Sequence, residues 1–345
     1  MALLKTLSRA ATAGALSALV SLGAIDAAAA MDDVTLRINF TPWGMHAPLY
    51  GGLKQGFFED EGINLTIRPP SAGQQNEVFI GTGREEFGLA NADSFIKARA
   101  SGLPVIAFMA DEPDTPFSVI TLKESGIDTP EEMKGKKLSW FQTNVKGLVE
   151  PLFKAGGLTL DDVEFVVVSR GAEQQMLAAG QVDALFGYSF GQALTMEMRG
   201  YPTNVMALSD YGVKFYGTVF YTSESLLADD PDLVERFARA VLKSYMWADE
   251  NNRAAVEEII KVSPDRDLDL ETKKSEIIFD LYKSPDYKDN FGKMYADKWA
   301  SSIDILDGAG FLDTKPAPED LFTNAIVEKL PESAALAKQL QGSGS

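Results

Sequence analysis

The stretch Val34-Thr-Leu-Arg-Ile-Asn-Phe40 leads, after Thr41 and Pro42, into Trp43-Gly-Met-His-Ala-Pro-Leu-Tyr50. Apolar and polar residues alternate over 34–40, which is the period of a half-buried strand, and Pro42 and Gly44 end that strand. An indole, an imidazole and a phenol then follow within one short segment. Such side chains offer flat faces for stacking and polar tips that orient a small planar ligand. The segment therefore predicts one wall of a binding cleft.

The same three side chains allow a second interpretation. Trp43, His46 and Tyr50 are residue types that also serve as packed structural residues behind a strand. His46 is the only histidine of the chain. From this segment alone, a ligand contact and a structural role both remain open.

The first thirty residues have the pattern of a signal peptide. Lys5 and Arg9 precede an apolar run that ends in the small-residue stretch Asp26-Ala-Ala-Ala-Ala30. The predicted mature chain begins near Met31. No later stretch reaches the roughly 20 apolar residues of a transmembrane helix, and no cysteine is present to carry a lipid anchor. We therefore expect a periplasmic protein that is not tethered to a lipid.

Composition excludes several classes of function. The absence of cysteine excludes disulfides, thiol catalysis and cysteine metal sites. A net charge of −18 argues against nucleic acid and anionic membranes as partners, because both would be repelled. A chain of 345 residues exceeds the size at which one core usually divides, so two lobes are expected.

Strand and helix signals alternate up to about residue 209 and then become helical. This βαβ rhythm predicts an α/β protein with parallel-rich sheets flanked by helices. The run 163–168 is almost continuously apolar and is predicted to be a central strand. Thr129-Pro-Glu-Glu132 is a capping box, and Asp230-Pro231 starts a long helix with one apolar stripe. Strands are predicted at 34–40, 63–67, 87–90, 104–109, 117–122, 137–141, 163–168, 182–186 and 204–208.

Two motifs imitate catalytic or metal sites. Gly187-Tyr-Ser-Phe-Gly191 matches a nucleophile elbow, but a hydrolase needs a histidine after the serine and His46 lies before it. Asp265, Asp267, Asp269 and Glu276 copy the spacing of a calcium loop, but Leu270 stands where glycine is required. We interpret 265–276 as a solvated acidic loop. No catalytic residue, metal site or cofactor is predicted.

Several segments, in order, resemble the NMT1/THI5-like (SsuA/THI5) family of ABC-transporter substrate-binding proteins. They are Trp43–Tyr50, Gly56-Phe-Phe-Glu-Asp-Glu-Gly62, Ser101-Gly-Leu-Pro-Val105, Leu122-Lys-Glu-Ser-Gly-Ile127, Glu132-Met-Lys-Gly-Lys-Lys137, Leu177-Ala-Ala-Gly-Gln-Val-Asp-Ala184 and Asp230-Pro-Asp-Leu-Val-Glu-Arg-Phe237.

The resemblance implies a two-lobed periplasmic-binding-protein-like fold of type II with a cleft between the lobes. Lobe 1 would comprise 31–117 and 219–335, lobe 2 would comprise 118–218, and 336–345 would be a flexible tail. The crossovers are expected near 116–121 and 216–222. The implied partners are a small-molecule ligand and an ABC permease of the inner membrane, and we expect the receptor to be a monomer.

The resemblance also implies where the ligand binds. The His-Ala-Pro-Leu-Tyr segment is similar to members that bind aminopyrimidine precursors of thiamine. Asp93 would read the ring edge together with His46, although Asp93 is also placed to cap a helix. Gln192 stands where an acidic residue is expected in such members. The residues assigned to the ligand are Trp43, His46, Tyr50, Asp93, Gln142, Asn144, Tyr188, Phe190 and Tyr216.

Three alternatives stay open at this point. The segment Phe141-Gln-Thr-Asn144 precedes a helix and could form an anion site with Lys146 or Arg170, which would suit an alkanesulfonate or an aromatic carboxylate. A pyrimidine-synthesising enzyme of the THI5 type is a further alternative, but those relatives carry a cysteine-rich motif that this chain lacks. The same receptor could also serve a sensor protein.

Overall fold

Two five-stranded sheets form the framework of the computed structural model, which describes residues 31–70, 75–140, 146–169 and 171–342. The first sheet contains β1 (Asp32–Arg37), β2 (Ile63–Arg68), β3 (Phe87–Asn91), β4 (Val105–Ala110) and β10 (Thr218–Ser223). The second contains β5 (Phe117–Leu122), β6 (Lys137–Trp140), β7 (Glu164–Val167), β8 (Ala184–Tyr188) and β9 (Thr203–Ala207).

Each sheet combines parallel and antiparallel pairs. The first has the order β2-β1-β3-β10-β4, with β10 antiparallel to both of its neighbours. The second has the order β7-β6-β8-β5-β9, with β5 antiparallel to both of its neighbours. The chain passes from the first sheet to the second between Ala110 and Phe117, and it returns between Ala207 and Thr218. The first sheet is therefore discontinuous in sequence, and the second is contiguous.

Helices cover the sheets, and the longest of them anchors the core of the first. Phe237, on the buried stripe of α8, stacks on Phe87 of β3 with ring centroids 3.9 Å apart. The helices are α1 (Ala47–Gln55), α2 (Asn76–Gly81), α3 (Ala92–Ala100), α4 (Lys146–Ala155), α5 (Glu173–Ala178), α6 (Leu194–Met198), α7 (Glu224–Asp229), α8 (Pro231–Glu250), α9 (Asn252–Val262), α10 (Leu268–Leu281), α11 (Ala296–Gly308), α12 (Ala325–Lys329) and α13 (Pro331–Gly342). Among the described residues, none of the helices is both long and apolar enough to cross a membrane.

Most local predictions are confirmed. Each predicted strand overlaps an observed one, and the segment 216–222, where a crossover is expected, overlaps β10. The capping box at Thr129 starts a 3-10 helix over Pro130–Met133. The Asp230 side chain accepts a hydrogen bond from the Leu233 amide at the start of α8, at 3.0 Å. These signals are local, so the sequence alone suffices to read them.

The prediction of a central strand at 163–168 is wrong. β7 lies at the edge of the second sheet, and Val167 is 60% exposed. Phe165 packs against Trp140 and Phe153, so one face of the strand is nevertheless covered. An apolar run indicates that the faces of a strand are covered, but it carries no information on whether both of its edges are paired.

The acidic loop predicted at 265–276 is also wrong, because α10 starts at Leu268. The Asp267 carboxylate accepts from the Leu270 amide at 2.8 Å and so caps the helix. Glu271, in the first turn, is 2% exposed. Aspartate is equally suited to a calcium loop and to a helix N-cap, and here the second role applies.

Candidate functional site

A cavity of about 500 Å³ lies where the ends of β1, β3 and β8 approach one another. Ligand sites in α/β proteins form at such strand ends, because loops and helix starts converge there. The sheets contribute Leu89, Ala90, Asn91 and Tyr188, and the following loops and helices contribute the rest. The remaining lining residues are Asn39, Phe40, Trp43, Asn76, Glu77, Asp93, Ser94, Lys97, Gly171, Glu173, Gln174, Gly191, Gln192, Thr195, Arg266 and Lys274.

Aromatic rings from both sheets meet at this cavity. Trp43 follows β1, and it stacks on Phe190, which belongs to the π-helical turn Ser189–Ala193 after β8. Their ring centroids are 5.8 Å apart and their planes differ by 19°. Tyr188 packs edge-on against Phe190 and tilts against Phe117. The cavity therefore has an aromatic wall to which both sheets contribute.

Amide groups and one imidazole form a hydrogen-bonded chain beside that wall. The Trp43 amide lies 3.3 Å from His46 Nδ1, and His46 Nε2 lies 2.9 Å from Asn39 Oδ1. Asn39 Nδ2 donates to Asn91 Oδ1 at 2.7 Å, and Asn91 Nδ2 donates to the Tyr188 hydroxyl at 3.0 Å. We refer to these contacts as the His46–Tyr188 chain. It ends at two residues that line the cavity.

His46 is neutral in this environment. Its side chain is fully buried, and burial lowers its pKa to about 3, assisted by the positive charge of Arg266. A neutral imidazole has one donor nitrogen and one acceptor nitrogen. Both ring nitrogens have partners in the His46–Tyr188 chain, so His46 is not available to the Ser189 hydroxyl as a base.

The cations that line the cavity are paired with carboxylates. Lys97 contacts Asp93 at 2.8 Å within α3. Arg266 and Lys274 both contact Glu271, at 3.3 Å and 2.9 Å. Burial lowers the pKa of Lys274, and the adjacent Glu271 charge opposes that shift. The positive charges in the described lining are thus largely balanced.

Two further carboxylates line the cavity and are almost buried. Glu77 on α2 is 8% exposed and Glu173 on α5 is 3% exposed. The Glu173 carboxylate accepts from the Gly171 amide at 2.7 Å. Acceptor groups therefore face the cavity from the helices that follow strands of both sheets.

The structure brings together part of the predicted site. Trp43, Asp93 and Tyr188 line the cavity. Phe190 and His46 lie behind that lining, in contact with Trp43 and Asn39. Asp93 lies within the first turn of α3, whose N-cap position is Asn91, so it does not cap the helix as the alternative proposed.

Two predicted residues lie away from the cavity, and two more lie outside the described residues. Tyr216 is buried against Trp299, and its hydroxyl accepts from the Tyr295 amide at 2.7 Å. Tyr50 is half-buried in α1, which packs against α8 and α9. Burial raises the pKa of Tyr50 to about 12. Gln142 and Asn144, together with Arg170, lie outside the described residues.

Sequence reasoning missed the contribution of α10. Arg266 and Lys274 flank the start of this helix, inside the segment interpreted as an acidic loop. The Glu271 carboxylate also accepts from the Gly44 amide at 2.8 Å, which ties α10 to the segment after β1. The three basic residues within this acidic segment, Arg266, Lys273 and Lys274, were the available signal. Among the described residues, no cluster of His, Cys, Asp and Glu is arranged to hold a metal ion.

The comparisons with known proteins agree with this architecture. The periplasmic aliphatic sulphonate binding protein SsuA from Escherichia coli superimposes with a TM-score of 0.67 at 12% identity, covering 84% of this chain and 91% of that one. The fold is therefore that of periplasmic binding proteins. The family described as NMT1/THI5 like matches residues 43–255. The chain belongs to the NMT1/THI5-like family.

Two relatives of known name differ in what they do. The formylaminopyrimidine-binding protein of Halalkalibacterium halodurans is 26% identical over 309 residues, covering 86% of this chain and 91% of that protein. The 4-amino-5-hydroxymethyl-2-methylpyrimidine phosphate synthase of Candida albicans (strain WO-1) is 26% identical over 283 residues, covering 75% of this chain and 82% of that protein. One relative is named as a binding protein and the other as a synthase, and both names contain a pyrimidine.

Proposed function

We propose that this protein is the periplasmic solute receptor of an ABC importer and that it captures a small heteroaromatic solute of the thiamine-pyrimidine class. The single observation that carries the proposal is the aromatic and amide-lined cavity between the strand ends of the two sheets. A ligand there contacts both lobes only when they close, which links binding to a change of shape that a permease can recognise. The receptor is exported through residues 1–30 and acts as a monomer.

The charge of the lining favours a neutral or weakly basic ring. In the described lining, Lys97, Arg266 and Lys274 each contact a carboxylate. Glu77 and Glu173 add two acceptors. An aminopyrimidine offers amino and ring N–H groups to such acceptors, and its flat face suits Tyr188 and Trp43. A sulfonate would have to displace an existing carboxylate from its cation, so the alkanesulfonate or aromatic carboxylate alternative ranks second.

A binding role is favoured over synthesis of the pyrimidine. The family resemblance implies a cysteine-rich motif in enzymes of the THI5 type, and this chain contains no cysteine. His46, the only histidine, is buried with both ring nitrogens hydrogen-bonded. A neutral histidine held in this way supports a structural role beside the cavity.

Calorimetry on refolded protein tests the proposal. We expect formylaminopyrimidine to bind and to raise the melting temperature, whereas an alkanesulfonate and benzoate do not. At 100 times its dissociation constant a ligand adds about 2.7 kcal/mol of stability. Trp43→Ala should weaken binding by roughly tenfold or more, because an aromatic contact at the ligand is lost.

Tyr201→Ala provides the matched control, because Tyr201 is 40% exposed and lies outside the cavity lining. It should leave the affinity unchanged. Binding of a sulfonate but not a pyrimidine would refute the proposed ligand class and retain the receptor. Conversion of the bound pyrimidine, detected by mass spectrometry of the released ligand, would instead indicate an enzyme.

A further inference from the structure

The His46–Tyr188 chain has only one possible direction of donation. The Trp43 backbone N–H can only donate, so His46 Nδ1 accepts and the ring proton lies on Nε2. Nε2–H then donates to Asn39 Oδ1, which leaves the Asn39 amide to donate to Asn91 Oδ1. The Asn91 amide nitrogen must therefore face the Tyr188 oxygen. One backbone hydrogen fixes the orientation of both asparagine amides.

The last bond of this chain joins the two sheets. Asn91 is the final residue of β3 in the first sheet, and Tyr188 is the final residue of β8 in the second. The first part of the chain, from Trp43 through His46 to Asn39, follows β1 and belongs to the side of the first sheet. A bond between two strand ends on different sheets can persist only while those ends stay close together.

We propose that the Asn91–Tyr188 hydrogen bond is a latch that favours the closed arrangement before any ligand binds, and that His46 and Asn39 are positioning residues that orient Asn91 for it. The inference rests on the proposed function only in assuming that the two halves open and close about a hinge. Closure is thus assisted by Asn91 and Tyr188, which also line the cavity. Part of the energy of closure is thus independent of the ligand.

The neutral state of His46 supports the latch. A second proton on the ring would fall on Nδ1, where the Trp43 amide already donates, so two donors would face each other. Burial of the ring and the charge of Arg266 both disfavour that proton. The hydrogen bonds of the His46–Tyr188 chain therefore keep the same direction of donation at every pH at which His46 is neutral.

Distance measurements on the free protein test the latch. The chain has no cysteine, so Lys54→Cys and Glu124→Cys give a single pair of spin labels, one on each side. We expect Tyr188→Phe and Asn91→Ala each to shift the ratio of closed to open protein by roughly fivefold toward open, the effect of one hydrogen bond. The double variant should shift it no further, because both remove the same bond.

The Asn39→Ala variant tests whether Asn39 orients Asn91 for its bond to Tyr188 or has only a general structural role. It should reduce the closed fraction when Tyr188 is present and have no effect in the Tyr188→Phe background. A merely structural role for Asn39 would reduce it in both backgrounds. Tyr201→Phe, on an exposed tyrosine, is the control and should change nothing.

The tautomer of His46 gives an independent readout. As the only histidine, it yields one set of ring nitrogen signals in long-range proton–nitrogen NMR. We expect a protonated Nε2 and an unprotonated Nδ1 at neutral pH. The opposite tautomer, additive effects of Tyr188→Phe and Asn91→Ala, or a free protein without a closed population would overturn the latch. None of these measurements includes a ligand, so their outcome tests the latch independently of whether the protein binds a pyrimidine.

Discussion

Because His46 is buried and neutral, the free energy of unfolding of the protein should depend on pH in the acid range. In the unfolded chain the pKa of His46 is near 6.5, and in the folded protein burial lowers it to about 3. Between these values the unfolded state binds a proton that the folded state does not. Stability is therefore full above about pH 6.5 and is lost as the pH falls toward 3, by at most about 1.4 kcal/mol per pH unit.

A His46→Gln variant should lose this acid dependence, because glutamine does not titrate. We expect urea denaturation between pH 7.5 and 4.5 to show a shallower decline of the unfolding free energy than in the unchanged protein. The absolute stability at pH 7.5 serves as the internal reference. Parallel declines would show that His46 does not carry the effect.

The titration of Glu112 should change the stability of the folded protein in the opposite direction, lowering it as the pH rises. Glu112 lies in the first connection between the sheets and is 1% exposed, and its Oε1 has no hydrogen-bond partner in the described part of the chain. Burial, reinforced by the neighbouring Asp111 carboxylate, raises its pKa well above the usual range. The folded state then holds a proton that the unfolded state releases, so stability falls as the pH rises above about 4.5.

Glu112→Gln keeps the neutral form and removes this penalty. The stability of the variant relative to the unchanged protein should increase with pH from 4.5 to 8.5, by about 1 kcal/mol or more in total. Chemical denaturation across that range measures it. A difference that stays constant with pH would contradict a protonated Glu112.

At the scale of elements, the contact between α10 and the segment after β1 is unusually close. A Cβ added at Gly44 would lie 2.5 Å from the Glu271 carbonyl oxygen, so only glycine fits there without movement. Glu271 in turn binds the Gly44 amide and the side chains of Arg266 and Lys274. The position of Trp43 in the cavity wall therefore depends on the first turn of α10.

Gly44→Ala should push α10 away from this segment. We expect a loss of about 1–3 kcal/mol in stability, the usual consequence of overpacking, together with weaker binding of formylaminopyrimidine. Gly308→Ala is the matched control, since its added Cβ has no atom within 4 Å apart from its chain neighbours and the backbone of its own helix. Equal effects of the two substitutions on the melting temperature would argue against the close contact.

The same elements show how far the sequence predicts this protein. Helix starts such as Asp230 are encoded locally, and the alternation before Trp43 marks β1 correctly. The edge position of β7 depends on strands that are distant in the chain. The place of Lys274 at the cavity depends on Trp43, whose ring centroid lies 5.7 Å from Lys274 Nζ. Trp43, Asp93 and Tyr188 were predictable because they lie at or just after strand ends. Glu271 reaches the site through its contact with the Gly44 amide, which its neighbours in sequence do not reveal.

At the scale of the whole molecule, the proposed hinge closure would take place about the two connections between the sheets. The two connections between the sheets contact each other. The Gly217 amide, in the second connection, donates to the Glu112 carbonyl, in the first, at 3.1 Å. Motion about two adjacent connections leaves the interior of each sheet unchanged. The strand ends that line the cavity would then move as units, with Trp43 carried by one sheet and Phe190 by the other.

The strand order also dictates when each half can be completed during synthesis. β10 fills the gap between β3 and β4, which do not pair with each other. The ribosome must translate everything from Asp111 to Gly217 first, which takes on the order of ten seconds. During that interval the contiguous second sheet can assemble. The unpaired edges of β3 and β4 can meanwhile pair with strands of other chains. The facing edges of β3 and β4 can therefore be paired only once Thr218–Ser223 has been synthesised.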